Sequence, residues 1–376
     1  MSEISSLIQT LCPYGVEYKR LEEVAKIMNG KDYKSFPTGD IPVYGTGGIM
    51  TYIDRAVYDK PSVLLPRKGS IDKVYFVETP FWTVDTIYWT KIDVERLLPK
   101  FFYYFMTTIN LTGMNTGTGA IPSLTQAVLN RIEIPVPPLE VQRKIVEVLD
   151  NFSELTAELT AELTAELTAR QKQYEYYRDN LLSFKNINWG GQNEVEWKAL
   201  SECCIILDSK RRPVTKSSRT EGEYPYYGAN GIQDYVGDYI FDGVFVLVGE
   251  DGSVVTPEGH PVVNWATGKI WVNNHAHIIS EIPDANLRYL YYALQTINVR
   301  EYIHGNIPKL NQGDFRTLMI PIPSRSKQDH IVSVLDKFEK LTTDLANGLP
   351  AEIKARQQQY EYYRDKLLTF KRKEVA

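Results

Sequence analysis

From Leu139 to Phe184 the chain has neither glycine nor proline, and apolar residues fall at 145, 149, 152, 155, 159, 163, 167, 174, 177, 181 and 184. Steps of mostly three and four residues define one stripe along a helix. Shifted by 186, all eleven positions are apolar again, from Ile331 through Leu335, Phe338, Leu341, Leu345, Leu349, Ile353, Tyr360, Tyr363 and Leu367 to Phe370. Two matching stripes in one chain most simply bury each other, which predicts an antiparallel coiled coil. A helix of about 46 residues would rise about 69 Å, the length of a spacer. In the second copy Asn347-Gly348-Leu349-Pro350 spells a helix stop and restart, so that helix is expected to break.

Outside these stripes the pattern changes period. Short β-branched or aromatic runs (Val63 to Leu65, Val74 to Val77, Thr86 to Trp89, Val244 to Val248, Ile270 to Val272) are separated by glycine and proline turns. Helical patterns follow near Val94 to Thr108 and Ala285 to Thr296. These regions read as mixed α/β domains.

The chain is a duplication. QYEYYRDNLLSFK (Gln173 to Lys185) returns as QYEYYRDKLLTFK (Gln359 to Lys371), identical at 11 of 13 positions with an offset of 186. IPVPPLEVQRKIVEVLDNF (from Ile134) returns as IPIPSRSKQDHIVSVLDKF (from Ile320), and upstream IPVYGTGGIMTYI (from Ile41) resembles YPYYGANGIQDYV (from Tyr224) at offset 183. The drift marks small insertions. The expected architecture is α/β (α+β): two pseudo-symmetric globular domains, 1–138 and 186–324, separated by a coiled coil built from 139–185 and 325–376.

With 376 residues, 43% apolar and 24% charged, composition is ordinary for a globular chain of two or three units. No apolar run suits a membrane span, no signal peptide opens the chain, and three cysteines (Cys12, Cys203, Cys204) cannot form a disulfide framework, so a reducing cytoplasm is expected. The net charge of −5 disfavours a uniformly basic nucleic-acid binder. Residues 139–170, however, hold seven acidic and three basic side chains, a local net of −4. The rest is nearly neutral, and local basic stripes can dominate there.

Catalytic signatures are missing: no Walker A loop, no Rossmann fingerprint, no His-Glu-x-x-His. Gly45-Thr46-Gly47-Gly48 and its counterpart Gly228-Ala229-Asn230-Gly231 read best as turns, with Thr46 and Asn230 kept as candidate DNA contacts. His275 and His277 share a strand face, the spacing of a metal pair. The first copy has Thr86 and Tyr88 there, which argues against an essential metal. Cys203 and Cys204 read as core.

What remains is charge on loops. Residues 208–219 carry Lys210, Arg211, Arg212, Lys216 and Arg219 against Asp208, interleaved with hydroxyls that also donate to phosphates. Lys31 and Lys34 are a weaker echo in the first copy. Arg67-Lys68-Gly69-Ser70 is a second basic turn, but its counterpart Glu250-Asp251-Gly252-Ser253 is acidic, a reversal suggesting that the copies face different bases. Thr116, Thr118 and Lys309 complete the candidate DNA contacts. Tyr176 and Tyr362, off the apolar stripe, are the candidates for a protein partner.

The duplication, the Ile-Pro-Val-Pro-Pro-Leu-Glu-Val-Gln-Arg-Lys-Ile opening of the long helix and the paired YEYYRD segments resemble the specificity subunits of Type I restriction-modification enzymes over essentially the whole chain. The three TAEL units from Thr156 to Leu167 are similar to one subgroup. Val141, where many members have Glu, and Ser324-Arg325-Ser326-Lys327, in place of the second Pro-Leu, depart from the pattern at the helix starts. The resemblance implies that each variable half is a target recognition domain reading one part of a split, asymmetric double-stranded DNA site. It implies that the helices bind two modification subunits, which methylate adenine with S-adenosylmethionine, and that ATP-dependent restriction subunits join them. No cofactor is then expected in this chain, and it is not itself an enzyme. A freestanding DNA-binding protein for a split site, a coiled-coil adaptor and a metal hydrolase on His275 and His277 are the competing readings.

Overall fold

The computed structural model describes residues 2–117, 120–184, 195–343 and 348–373. The chain divides into two compact units, one of residues 1–162 with 353–376 and one of residues 163–352. Each unit thus takes in a helix end belonging to the other copy.

Unit 1 opens with helix α1 (Ser2–Leu11), strand β1 (Tyr18–Arg20) and the single turn α2 (Leu21–Val24). Strands β2 (Ala25–Asn29), β3 (Ile41–Gly45), β4 (Gly48–Ile53), β5 (Ser62–Pro66), β6 (Tyr75–Val77), β7 (Trp82–Thr83) and β8 (Ile87–Ile92) follow. They form two sheets, ordered β2-β8-β5-β6 and β4-β3-β7. Every residue of β5 is buried, as its unbroken apolar run requires of a strand covered on both faces. After α3 (Pro99–Met106) and α4 (Gln126–Leu129), strand β9 (Glu133–Pro135) returns to pair antiparallel with β1, Tyr18 opposite Pro135.

Helix α5 (Leu139–Ser183) then runs unbroken for 45 residues. In unit 1 its buried Val141, Ile145 and Leu149 join Phe101, Leu367, Leu368 and Phe370 in one core. Asp150 fixes α3, accepting from the Tyr104 hydroxyl at 2.6 Å and pairing with Lys100 at 2.9 Å.

Unit 2 repeats the plan. Strands β10 (Glu196–Ala199) and β11 (Ile205–Ile206) flank α6 (Leu200–Cys203). Next come β12 (Glu221–Gly228), β13 (Gly231–Val236), β14 (Phe241–Gly249), β15 (Val263–Val272) and β16 (Ala276–Ser280), then α7 (Leu287–Leu294). A short ribbon, β17 (Ile303–His304) with β18 (Lys309–Leu310), and α8 (Gln312–Thr317) lead to β19 (Met319–Ile322), which pairs with β10. Here β15 is long enough to do the work of both β6 and β7, so the two sheets of unit 1 become one, ordered β11-β16-β14-β15-β12-β13. Cys203 and Cys204 are buried, and burial pushes their thiols up to about 11 and about 12.

The second helical region is α9 (Arg325–Thr343) and α10 (Leu349–Leu368), a break where Gly348 and Pro350 predict one; Asn347 lies outside the described residues. Ile331 and Leu335 of α9 share a core with Leu182 of α5. The Asp150 anchor also recurs: Asp336 accepts from Tyr292 at 2.6 Å and pairs with Arg288 at 2.8 Å. So does a buried glutamine at each helix start. Gln142 accepts from the Leu98 amide at 2.8 Å and donates to the Arg96 and Pro137 carbonyls. Gln328 accepts from the Asn286 amide at 2.8 Å and donates to Asp284 and Pro323. The two altered helix starts therefore keep one geometry, because this amide side chain sets it. The apolar stripes are only partly covered, Leu155 and its equivalent Leu341 being exposed. Among the described residues no helix is long and apolar enough to cross a membrane.

Candidate nucleic-acid interface

One tryptophan in each unit holds a cation in place. Trp82 pairs in parallel register with Val43, and Trp271 with Tyr226, which makes the two indoles equivalent. The Trp82 N–H donates to the Lys31 carbonyl at 2.9 Å while the Lys31 amide donates to Thr83 at 2.8 Å. The Trp271 N–H donates to the Arg212 carbonyl at 2.6 Å while the Arg212 amide donates to Val272 at 3.3 Å. Lys31 and Arg212 therefore occupy one position, with their backbones clamped on both sides and their side chains in solvent. The fit is tight in unit 1: a Cβ on the preceding Gly30 would stand 1.9 Å from the Val84 carbonyl oxygen.

Arg211, beside Arg212, does not share its exposure. Only 11% of its side chain is accessible. Its guanidinium donates to Glu250 at 2.6 Å and to the Ala276 carbonyl at 2.7 Å, and lies 3.4 Å from Asp208. The expectation of a phosphate contact at Arg211 is corrected: the charge is consumed inside the unit, where it helps to neutralise the buried Asp208 and Glu250 carboxylates.

His277 completes that cluster. Fully buried and stacked on Phe315 at 4.2 Å, it sets Nδ1 2.6 Å from Asp208 and Nε2 2.8 Å from the Leu310 carbonyl. Burial alone would raise the Asp208 pKa. The His277 hydrogen bond and charge, the Ile278 amide and Arg211 outweigh it and hold the carboxyl below its ordinary value. Candidate ligand atoms of Asp208, Glu250 and His277 lie within 4.8 Å of one another. Both ring nitrogens face oxygen acceptors and Arg211 and Lys309 already neutralise the carboxylates, so the donor set suits a charge-compensated polar core rather than a metal. His275 pairs separately with Asp251.

The same place in unit 1 is built from other residues. Leu124 donates to the Arg67 carbonyl as Leu310 donates to that of Glu250, each at 2.8 Å, so Arg67 and Glu250 correspond. Arg67 lies over the Tyr88 ring and donates to the Asp85 carbonyl, and the Tyr88 hydroxyl reaches Leu124 at 3.4 Å, as His277 reaches Leu310. The sign reversal between the turns is thus real, but in unit 2 Arg211, His277 and Lys309 compensate it internally.

The remaining candidates fall into two groups. Thr46 is buried in its turn, its carbonyl accepting from the Tyr75 hydroxyl at 2.9 Å, which removes it from the surface expected for a DNA contact. Arg219 lies over Tyr226 at 4.0 Å and pairs with Asp234 at 3.0 Å, and Lys309 pairs with Glu250 at 3.3 Å. Thr116 is exposed but donates to the Ser123 carbonyl at 3.0 Å, Asn230 is exposed at a hairpin tip, and Thr118 lies outside the described residues. Lys31, Lys34 and Lys68 in unit 1, and Lys210, Arg212 and Lys216 in unit 2, are exposed and have no ion-pair partner among the described residues. Tyr176 and Tyr362 are 66% and 60% exposed, alike in both copies. The tryptophan clamps, the Asp208–His277 pair and the paired glutamines were not anticipated; of these, only the glutamines keep the 186-residue offset that would reveal them.

Known proteins carry the same pattern. The model of the type I restriction modification DNA specificity domain matches twice, at residues 13–169 and 192–355. A putative type I restriction enzyme specificity subunit of Haemophilus influenzae is 32% identical, the match covering 94% of this chain and 96% of that one. The EcoprrI specificity subunit of Escherichia coli is 30% identical, with 92% and 93% covered. Among solved structures, a chain from work on complex assembly and conformational transition of the type I R-M system superposes with a TM-score of 0.65 at 16% identity, covering 94% of this chain and 97% of that one. The HsdS subunit of Thermoanaerobacter tengcongensis gives 0.51 at 17% identity, covering 95% and 97%. The solved structures share the fold; on the sequence matches, which take in both halves, the chain belongs to the family of type I restriction-modification DNA specificity subunits.

Proposed function

We propose that the two variable units read the two parts of a split, asymmetric DNA site, and that the helical regions carry two modification subunits, to which restriction subunits add. Adenine methylation with S-adenosylmethionine and ATP-driven restriction belong to those partners; this chain is the non-catalytic reader. The observation that carries the DNA reading is the repeated clamp: Lys31 and Arg212 are exposed cations fixed at one position of two otherwise divergent domains. Backbone phosphates take such cations and set register, while divergent side chains around them read different bases. Lys34, Lys68, Lys210 and Lys216 extend the two basic surfaces, and Tyr176 and Tyr362 are the proposed partner contacts. The three TAEL units place the chain, on this reading, with the subgroup whose spacer helix carries such tandems.

The test is to purify the chain with its modification subunits and map methyl transfer on a random DNA pool. A two-part motif with a fixed gap is expected. Tight sequence-specific binding by the chain alone would favour a freestanding regulator, and methylation without a motif would remove the reading.

A further inference from the structure

Unit 2 has a cavity of about 320 Å³, open to solvent and lined by Trp271, Tyr226, Val214, Val236, Ser218 and Arg219 among others. Unit 1 has a ring in the equivalent place. Phe36 meets Trp82 edge to face, ring centroids 4.9 Å apart. Phe36 and Arg219 correspond. Each amide donates to the carbonyl three residues back, Tyr33 or Lys216, and the carbonyl of the following residue, Pro37 or Thr220, accepts from the end of the neighbouring hairpin, Asp54 or Gly237. The Arg219 side chain turns onto Tyr226, tied to Asp234 and the Val214 carbonyl, and supplies no ring to Trp271.

We propose that this cavity takes an unstacked nucleobase of the bound DNA. The proposal rests on the reading that unit 2 contacts DNA. Its shape suits a planar ring, since the first copy fills the same site with a phenyl group of its own. Trp271 in its wall is part-exposed and offers an aromatic ring on which any base stacks regardless of sequence; Tyr226 is buried beneath Arg219. Phosphates flanking such a base would meet Arg212, whose carbonyl is bonded to the Trp271 indole, and the exposed Lys216 nearby in sequence. Ser218, among the lining residues, accepts from the Thr215 hydroxyl at 3.0 Å and keeps its own O–H to donate to a base edge. Because Phe36 closes the equivalent site, only the half-site read by unit 2 would carry an unstacked base.

The experiment uses the chain assembled with its modification subunits and duplexes with single fluorescent bases, 2-aminopurine or pyrrolo-cytosine, at each position of the second half-site and its flanks. One position is expected to change its emission at least about twofold on binding. Arg219→Phe, which restores the ring of the first copy, should abolish that change and weaken binding about tenfold relative to Arg219→Ala, which loses the same charge but leaves the cavity open. Ser218→Phe, filling the cavity with Arg219 in place, should act like Arg219→Phe. A base drawn into a modification subunit would respond equally in all variants and is thereby recognised. No position with the expected pattern, or a signal that survives both filling variants, overturns the proposal while leaving methylation of the split motif intact. Weakened modification-subunit binding on filling, without a base signal, also overturns it and assigns the cavity to a protein side chain. Loss of the two-part motif in the unsubstituted complex would instead strike the DNA reading itself.

Discussion

Phe152 meets Tyr363 with ring centroids 5.9 Å apart, and the pair returns with its members exchanged between copies, Phe338 stacking on Tyr177 at 5.3 Å. Under the 186-residue offset Phe152 becomes Phe338 and Tyr177 becomes Tyr363, so one interaction is used twice, once in each unit. In unit 1 it joins α5 to α10, beside a 2.9 Å hydrogen bond between Ser153 and Tyr360; in unit 2 it joins α5 to α9. Phe152→Ala and Phe338→Ala should each cost about 1–3 kcal/mol, as partly buried rings do. Hydrogen exchange should locate the loss in α10 for the first variant and in the second half of α5 for the other. Equal loosening of both units by either substitution would contradict the pairing.

The tryptophan clamps predict matched effects in the two units. Lys31→Ala or Arg212→Ala should weaken DNA binding by the assembled complex about fivefold at moderate salt and lower the log–log salt slope by about 0.9, without changing the motif. The double variant should be additive. Titrations at four salt concentrations check this; a changed base preference would make either residue a base contact instead.

Asp208 gives unit 2 an acid sensitivity of defined sign. Its carboxyl ionises more readily in the fold than its ordinary value of 3.8. The stability it contributes is therefore complete above that pH and fades as pH falls through the lower native value. Asp208→Asn should destabilise unit 2 at neutral pH by about 3–5 kcal/mol, since Arg211 and His277 lose a buried partner, and should flatten the stability curve below pH 3.8. Urea denaturation across that range measures both.

The TAEL tandem has a geometric consequence. Four residues lengthen a helix by about 6 Å and advance its face by about 40°, close to the roughly 34–36° twist of one base pair. Deleting Thr160 to Leu163 should preserve both half-motifs and shorten the gap between them by about one base pair. Methylation mapping on the random pool reads the gap directly, and an unaltered gap would remove any measuring role for the tandem.

Tyr176 and Tyr362 lie outside the helix cores yet are equally exposed in both copies. Tyr176→Ala should reduce binding of one modification subunit, Tyr362→Ala the other, and the double variant both, each by about tenfold. Calorimetry or mass measurement of the assembled complex would count the subunits retained.

Much of this was legible in the sequence, for uneven reasons. The duplication is plain because YEYYRD survives almost unchanged, and the helix break because Gly348 and Pro350 leave the backbone little choice. The stripes were read correctly as apolar and as mutual over part of their length, Ile145 and Leu149 sharing the core of unit 1 with Leu367 and Phe370, while Leu155 and Leu341 stay exposed. Trp82 and Trp271 escaped notice because insertions stretch their offset to 189. Arg211 looked like its neighbour Arg212 because linear sequence does not reveal that Glu250 and the Ala276 carbonyl close around one and not the other.

The strands that enter and leave each variable region are hydrogen-bonded to each other, β1 with β9 and β10 with β19. Everything between them departs and returns through one doorway, so a different insert whose two ends meet there, and which keeps the backbone partners that Leu98 and Asn286 give the buried glutamines, would leave the long helices in place. On the proposed function, such a joint would let genetic exchange swap one half of a target sequence while the long helices are inherited whole.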